Sequence, residues 1–162
     1  MMSIEIQPLE GFETLSEEYI TSFEMTLPYT LPLEYKTFLQ RYNGGNLESC
    51  YIFHIKGPAK VSVLFYFIGF KDDFSEDTIE LKDMRYQLRN LEGRIPKFLL
   101  PIALDAGGDP ICLSLIDSCI YFWDHEFEPD EEEQPSLQNV FWVANNLTGF
   151  LDNLRPCPPE FR

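Results

Sequence analysis

The chain has 162 residues, 44% of them hydrophobic and 15% aromatic, which is enough apolar volume for one core without metal or disulfide staples. Its 27 acidic residues against 12 basic ones give a formal charge of −15, which disfavours direct binding to nucleic acid or anionic membranes and suits either plain solubility or attraction to a basic partner. The longest apolar run, from Val61 to Phe70, falls well short of the roughly 20 residues a spanning helix needs.

The opening residues carry Glu5, Glu10 and Glu13 and no basic start before an apolar run, so no signal peptide is expected. Phe12, Leu15, Tyr19, Phe23 and Leu27 recur at three- and four-residue steps around Ser16, which predicts a first helix from Phe12 to Leu27, ended by Pro28. Leu31-Pro32 opens a second helix, up to Tyr42, with Tyr35, Phe38 and Leu39 on its buried face and Asn43-Gly44-Gly45 as its stop. The β-branched and aromatic runs Cys50 to Ile55 and Val61 to Ile68, joined by Lys56-Gly57-Pro58, predict a hairpin. A third helix follows on Leu81, Met84, Leu88 and Leu91, with its end marked by Gly93 and Pro96. Leu100 to Leu104, Ile111 to Ile116 and Ser118 to Trp123 are three short strands. An acidic loop runs from Asp124 to Gln134, and a final helix is expected over Val140 to Leu154. The connections are too short for repeated parallel crossovers, so the fold class is α+β: a mainly antiparallel sheet with helices packed on one face. One domain is expected over residues 1–162, with short tails at 1–11 and 156–162.

The usual nucleotide, dinucleotide, serine-hydrolase and zinc-protease signatures are absent, which weakens the case for an enzyme. The four cysteines, Cys50, Cys112, Cys119 and Cys157, lack a CxxC pair and read as reduced thiols, in keeping with a cytoplasmic protein. Cys50 and His54 are poorly placed as a metal pair, because four strand residues span roughly 13 Å while zinc ligands lie about 2.0–2.3 Å from the ion. His125, between Asp124 and Glu126, reads as a solvated histidine whose acidic neighbours favour its charged form. Asp105-Ala-Gly-Gly-Asp109 fails the EF-hand pattern, with Gly107, Pro110 and Ile116 where an oxygen ligand, glycine and glutamate belong, so it reads as a tight turn. Asn146-Leu147-Thr148 matches a glycosylation acceptor but falls in the expected last helix. Tyr121, Phe122, Trp123, Phe127, Phe141 and Trp142 divide between core and potential partner anchors. No cofactor and no metal are expected.

The segment LPLEYKTFLQRYNGG from Leu31 to Gly45 resembles the LPxxYxxFLxxxNGG segment of SUKH proteins, the group that includes Smi/Knr-type regulators. FYFIGF, IPKFLLPIALDAGGDPICLSL, IYFWDHE and FWVANNLTGFLDNL follow in that family's order, so the resemblance spans about Phe12 to Leu154. It implies an α+β domain that binds rather than catalyses, most bacterial members being immunity proteins for polymorphic or contact-delivered toxins, many of them nucleases. Leu31, Pro32, Tyr35, Phe38, Leu39, Asn43, Gly44, Gly45, Asp105, Gly107, Gly108 and Asp109 match motif positions, and the resemblance implies a structural role for them. On physical grounds alone, the candidate contact surface is the acidic loop with Asp124, Glu126, Glu128, Asp130, Glu131, Glu132 and Glu133. The expected partner is a protein, a basic toxin domain, with the chain itself a monomer or weak homodimer; a regulatory module without a toxin and an uncharacterised enzyme are the alternatives.

Overall fold

The computed structural model describes residues 4–77 and 79–161. Helix α1 runs Glu17–Glu24 and starts where the Ser16 side chain accepts a hydrogen bond from the Tyr19 N–H at 3.0 Å. It is shorter than the apolar period suggested, because Phe12 and Leu15 precede this cap and are buried from non-helical backbone. Helix α2, Leu33–Arg41, buries Tyr35, Phe38 and Leu39 as expected. Helix α3, Met84–Leu91, is capped by Asp83, which is fully buried and also takes the Arg85 guanidinium and the Lys71 N–H.

The strands are β1 Ile6–Gln7, β2 Gly45–His54, β3 Val61–Phe67, β4 Leu99–Asp105, β5 Pro110–Ser114, β6 Ile120–Trp123, β7 Val140–Ala144 and β8 Arg155–Pro156. They form one sheet in chain order from β1 to β7, with β8 joining β2, and every strand pairing is antiparallel. This is the α+β architecture read from the sequence. Beyond β2, the Lys56 N–H reaches the Trp142 carbonyl at 2.8 Å, so the sheet curls until the end of β2 meets β7. Alternation then sorts the side chains. Ile111, Leu113, Ile120 and Phe122 join Tyr35, Phe38, Met84 and Phe150 in the main core, while Cys112 and Trp123 face a smaller cluster with Leu91, Ile95 and Leu99.

The expected last helix is split. Val140–Ala144 pairs with β6 as strand β7, and only Leu147–Asp152 is helical, as α4. Val140, Phe141, Trp142 and Val143 suit a pleated surface, and the Asn146 side chain accepts from the Gly149 N–H at 2.7 Å, which restarts the chain as a capped helix. Asn146 of the glycosylation tripeptide is therefore a cap rather than an interior helical residue.

The cysteine reading is also corrected. Cys50 and Cys157 form a disulfide, with Cα atoms 5.3 Å apart and a sequence separation of 107. Sequence spacing did not show this because the sheet makes the pair: β8 sets Pro156 opposite Tyr51, and the Cys157 N–H donates to the Cys50 carbonyl at 2.9 Å. Cys112 and Cys119 are free thiols.

Two motif segments meet at a close backbone approach. Gly44 has φ +72°, and a Cβ there would lie 2.9 Å from the Gly69 N; a Cβ on Gly69 would lie 2.5 Å from the Asn43 carbonyl carbon. Asn43 closes the junction, with Nδ2 donating to the Glu13 and Phe70 carbonyls and Oδ1 accepting from the Phe70 N–H.

Candidate functional site

The acidic loop hangs between β6 and β7 as two single 3-10 turns, His125–Phe127 and Glu131–Glu133. Its carboxylates have different duties. Asp124 is buried, and its side chain accepts from the Glu126 N–H at 3.0 Å, capping the first turn. Glu128 makes a forked pair with Arg94 at 2.9 and 3.0 Å and accepts from the Gln134 amide at 2.7 Å. The Arg94 guanidinium holds the Glu128 carboxyl below its ordinary value and lies 5.3 Å over the Trp123 ring. Glu126, Asp130, Glu131, Glu132 and Glu133 are exposed and make no ion pair among the described residues. Two members of the candidate set thus shape the loop, and five present charge to solvent.

The DAGGD turn is held by its own side chains. Asp105 accepts from the Gly107 and Asp109 N–H groups at 3.0 and 2.8 Å and from the Ser62 hydroxyl at 2.7 Å. Asp109 then meets the loop, with His125 Nδ1 at 2.7 Å from its Oδ1. Thus the histidine read as solvated, though its side chain is 56% exposed, anchors the loop to the β4–β5 turn.

Burial raises the Asp109 carboxyl to about 6; the His125 hydrogen bond opposes this, and the Asp105 and Asp124 charges add to it. The hydrogen bond it donates to Asp109, then the Asp109 charge, raises His125 above its ordinary value. Both groups hold protons more tightly in the folded chain, so their contribution to stability falls as pH rises. For His125 it is complete below the unfolded value of about 6.5 and is lost as pH climbs through the raised folded value. Urea unfolding between about pH 6.5 and 8.5 should show that loss in the wild type and a different profile in His125→Asn, where Asp109 titrates without its partner, with exposure keeping the histidine's share under about 1 kcal/mol. Identical pH profiles for the two proteins would remove His125 as the source.

Among the described residues, Asp109, Asp124 and His125 form a group whose ligand atoms all lie within 4.8 Å. As arranged, it is an ion pair beside a capping carboxylate: zinc ligands at about 2.0–2.2 Å in a tetrahedron stand roughly 3.3 Å apart, wider than the 2.7 Å between His125 and Asp109. Cys50 is taken up by the disulfide, so the Cys50–His54 pair lacks a thiolate.

The aromatic residues are divided by strand alternation. Phe122 enters the main core and Trp123 the smaller cluster, while Tyr121 stays half-buried beside it. Phe127 is 41% exposed and packs edge-on against Phe141 at 6.1 Å. Trp142 is exposed on β7. Two residues missed in the sequence stand close by: Ile116, after β5, and Leu137, on the loop's return limb, are 62% and 60% exposed. Ile116 was read as a strand residue and Leu137 was not singled out; alternation gives no sign that either faces solvent.

These features define an α+β domain whose motif residues brace turns and close backbone contacts, and whose loop between β6 and β7 carries five exposed carboxylates. A model of the SMI1 / KNR4 family (SUKH-1) matches residues 14–153, and the chain belongs to that family, whose members are known as immunity-protein-like domains. It is also 29% identical over 162 residues to the SPbeta prophage-derived uncharacterized protein YokK of Bacillus subtilis (strain 168), covering 90% of this chain and 77% of that protein. No helix among the described residues is long and apolar enough to cross a membrane.

Proposed function

We propose that the chain is a non-catalytic immunity protein that neutralises a polymorphic or contact-delivered toxin, of which a nuclease is one candidate class, by occupying it in the cytoplasm. Family membership supplies the class. The observation that carries the mode of binding is the set of five exposed carboxylates, Glu126, Asp130, Glu131, Glu132 and Glu133, which make no ion pair among the described residues and sit on a loop whose base is fixed by Arg94 and Asp109. An anchored acidic loop attracts a basic protein surface over a distance and costs little ordering on contact.

The direct test is co-expression with a toxin domain encoded beside this gene: cells survive when the chain is present, and the purified pair associates. A toxin that stays lethal and unbound would remove the immunity reading. Steering gives a second test. Exposed carboxylates are screened over about 8 Å at 0.15 M salt and individually contribute roughly 0.2–1 kcal/mol, so they act on encounter more than on the final complex. Replacing Glu131, Glu132 and Glu133 together by Gln should slow association about tenfold at low salt and flatten its salt dependence, with dissociation nearly unchanged. An association rate unaffected by the change would move the contact surface elsewhere.

A further inference from the structure

The smaller core cluster is left open on one side. Phe98, Tyr121 and Val140 pack against it while half-buried, and with Ile116 and Leu137 they wall a hollow of about 280 Å³. That volume falls below the roughly 300–1,000 Å³ of small-molecule pockets and suits a single large side chain. Two exposed aliphatic residues at one hollow, in a surface otherwise rich in charge, are the composition of an anchor pocket at a protein interface.

One rim is anionic. Asp117 Oδ1 accepts from the Cys119 N–H at 2.9 Å and Oδ2 from the Tyr121 hydroxyl at 3.0 Å, and a carboxylate has about four acceptor positions, so each oxygen keeps a further site. Partial burial works against the Asp117 charge, but hydrogen bonds from Cys119, Ser114 and Tyr121 outweigh it and hold the carboxyl below its ordinary value. The hollow is continuous with the acidic loop: Leu137 stands on the loop's return limb, where the Gln138 side-chain amide donates to the Phe127 carbonyl at 2.9 Å.

We propose that this hollow is an arginine subsite, in which one arginine of a basic protein partner lays its stem over Ile116 and Leu137, stacks its guanidinium near Phe98 and Tyr121, and pairs with Asp117. The proposal rests on the reading of the acidic loop as the contact surface, and adds the residue that anchors the partner once the loop has drawn it in. Arginine fits better than lysine because its planar, weakly hydrated fork stacks on aromatic faces and pairs with a fixed carboxylate in two bonds, whereas an ammonium keeps its water. Loop and hollow then divide the work, the first governing encounter and the second residence.

The probe is a short synthetic peptide with one central arginine flanked by glycines and lysines, compared with the same peptide carrying citrulline, which keeps the shape and removes the charge. Titration of the isotope-labelled chain by NMR should show the arginine peptide binding at least about fivefold more tightly, with shifts centred on Ile116, Tyr121 and Leu137. Asp117→Asn and Leu137→Ser should each erase that preference; Leu137 is exposed, so its variant keeps the fold. The Gln variant at Glu131, Glu132 and Glu133 should weaken both peptides alike. Equal affinity for the two peptides, with binding still dependent on the loop, overturns the subsite and leaves the loop reading standing. An arginine preference that persists while the loop variant changes neither affinity supports the subsite and overturns the loop reading. No shift with either peptide at about millimolar concentration overturns both.

Discussion

Truncating Asn43 to alanine is expected to destabilise the fold by about 3–5 kcal/mol, although the residue touches no part of the candidate contact surface. Its buried amide serves three backbone groups: the Glu13 carbonyl at 2.7 Å, the Phe70 carbonyl at 2.8 Å and the Phe70 N–H at 2.6 Å. Removing it strands all three where Gly44 and Gly69 already lie against each other, with no room for the chain to settle around the gap. Each unsatisfied buried group costs about 1–3 kcal/mol, and the Glu13 carbonyl, which is only partly covered, sits at the low end. Asn43→Asp keeps the acceptor for the Phe70 N–H but sets carboxylate oxygen against two carbonyls, so it should also be costly. Urea midpoints decide the matter, and a loss below about 1 kcal/mol in the alanine variant would show that water replaces the side chain.

The same junction shows why some of this molecule was legible. Helix α2 announced itself because Tyr35, Phe38 and Leu39 repeat at helical spacing and Asn43-Gly44-Gly45 stops them, a local signal with a local cause. The antiparallel character of the sheet followed from short connections between β-rich runs. Strand β7 was missed because Val140, Val143, Ala144 and Leu147 satisfy a helical period as well as they satisfy a strand, and only pairing with Tyr121 and Phe122 arbitrates. The loop was visible as a run of charge, whereas its internal division was not. Arg94 lies 34 residues from Glu128 and Asp109 lies 16 from His125, so nothing in the run itself tells that Glu128 and Asp124 serve the scaffold while Glu131, Glu132 and Glu133 remain free. Motif residues such as Asp105 and Asp109 brace the base of the loop, which lets its tip change charge without changing the fold.

Opening the Cys50–Cys157 bridge is expected to cost about 2–4 kcal/mol and to lower the melting temperature by roughly 5–15 °C. The bridge joins residues 107 positions apart, so its loss returns a large loop entropy to the unfolded state. In the folded state backbone pairing also holds the tail. Strand β8 has two residues, both exposed, and is tied to β2 through Tyr51 and Ile52 and through the Cys157 N–H. Hydrogen exchange should therefore rise first at Arg155 and Cys157 on reduction, while protection in β4 to β6, whose residues are almost all buried, stays high. The acidic loop springs from β6 and β7 and is tied to Arg94 and Asp109, with no hydrogen bond to β2 or β8 among the described residues, so a Cys50→Ser, Cys157→Ser variant should fold and keep the association rate of the wild type. Under the proposed function the chain works in a reducing cytoplasm, where disulfides are rare, and the contact surface would then function with the bridge open, at reduced stability. Alkylation of protein taken directly from cells, followed by mass measurement, reads the state of the bridge. An unchanged melting temperature under reductant would show that β8 pairing holds the tail without the cross-link, whereas loss of the folded state would make the bridge a condition of folding and move the site of action to an oxidising compartment.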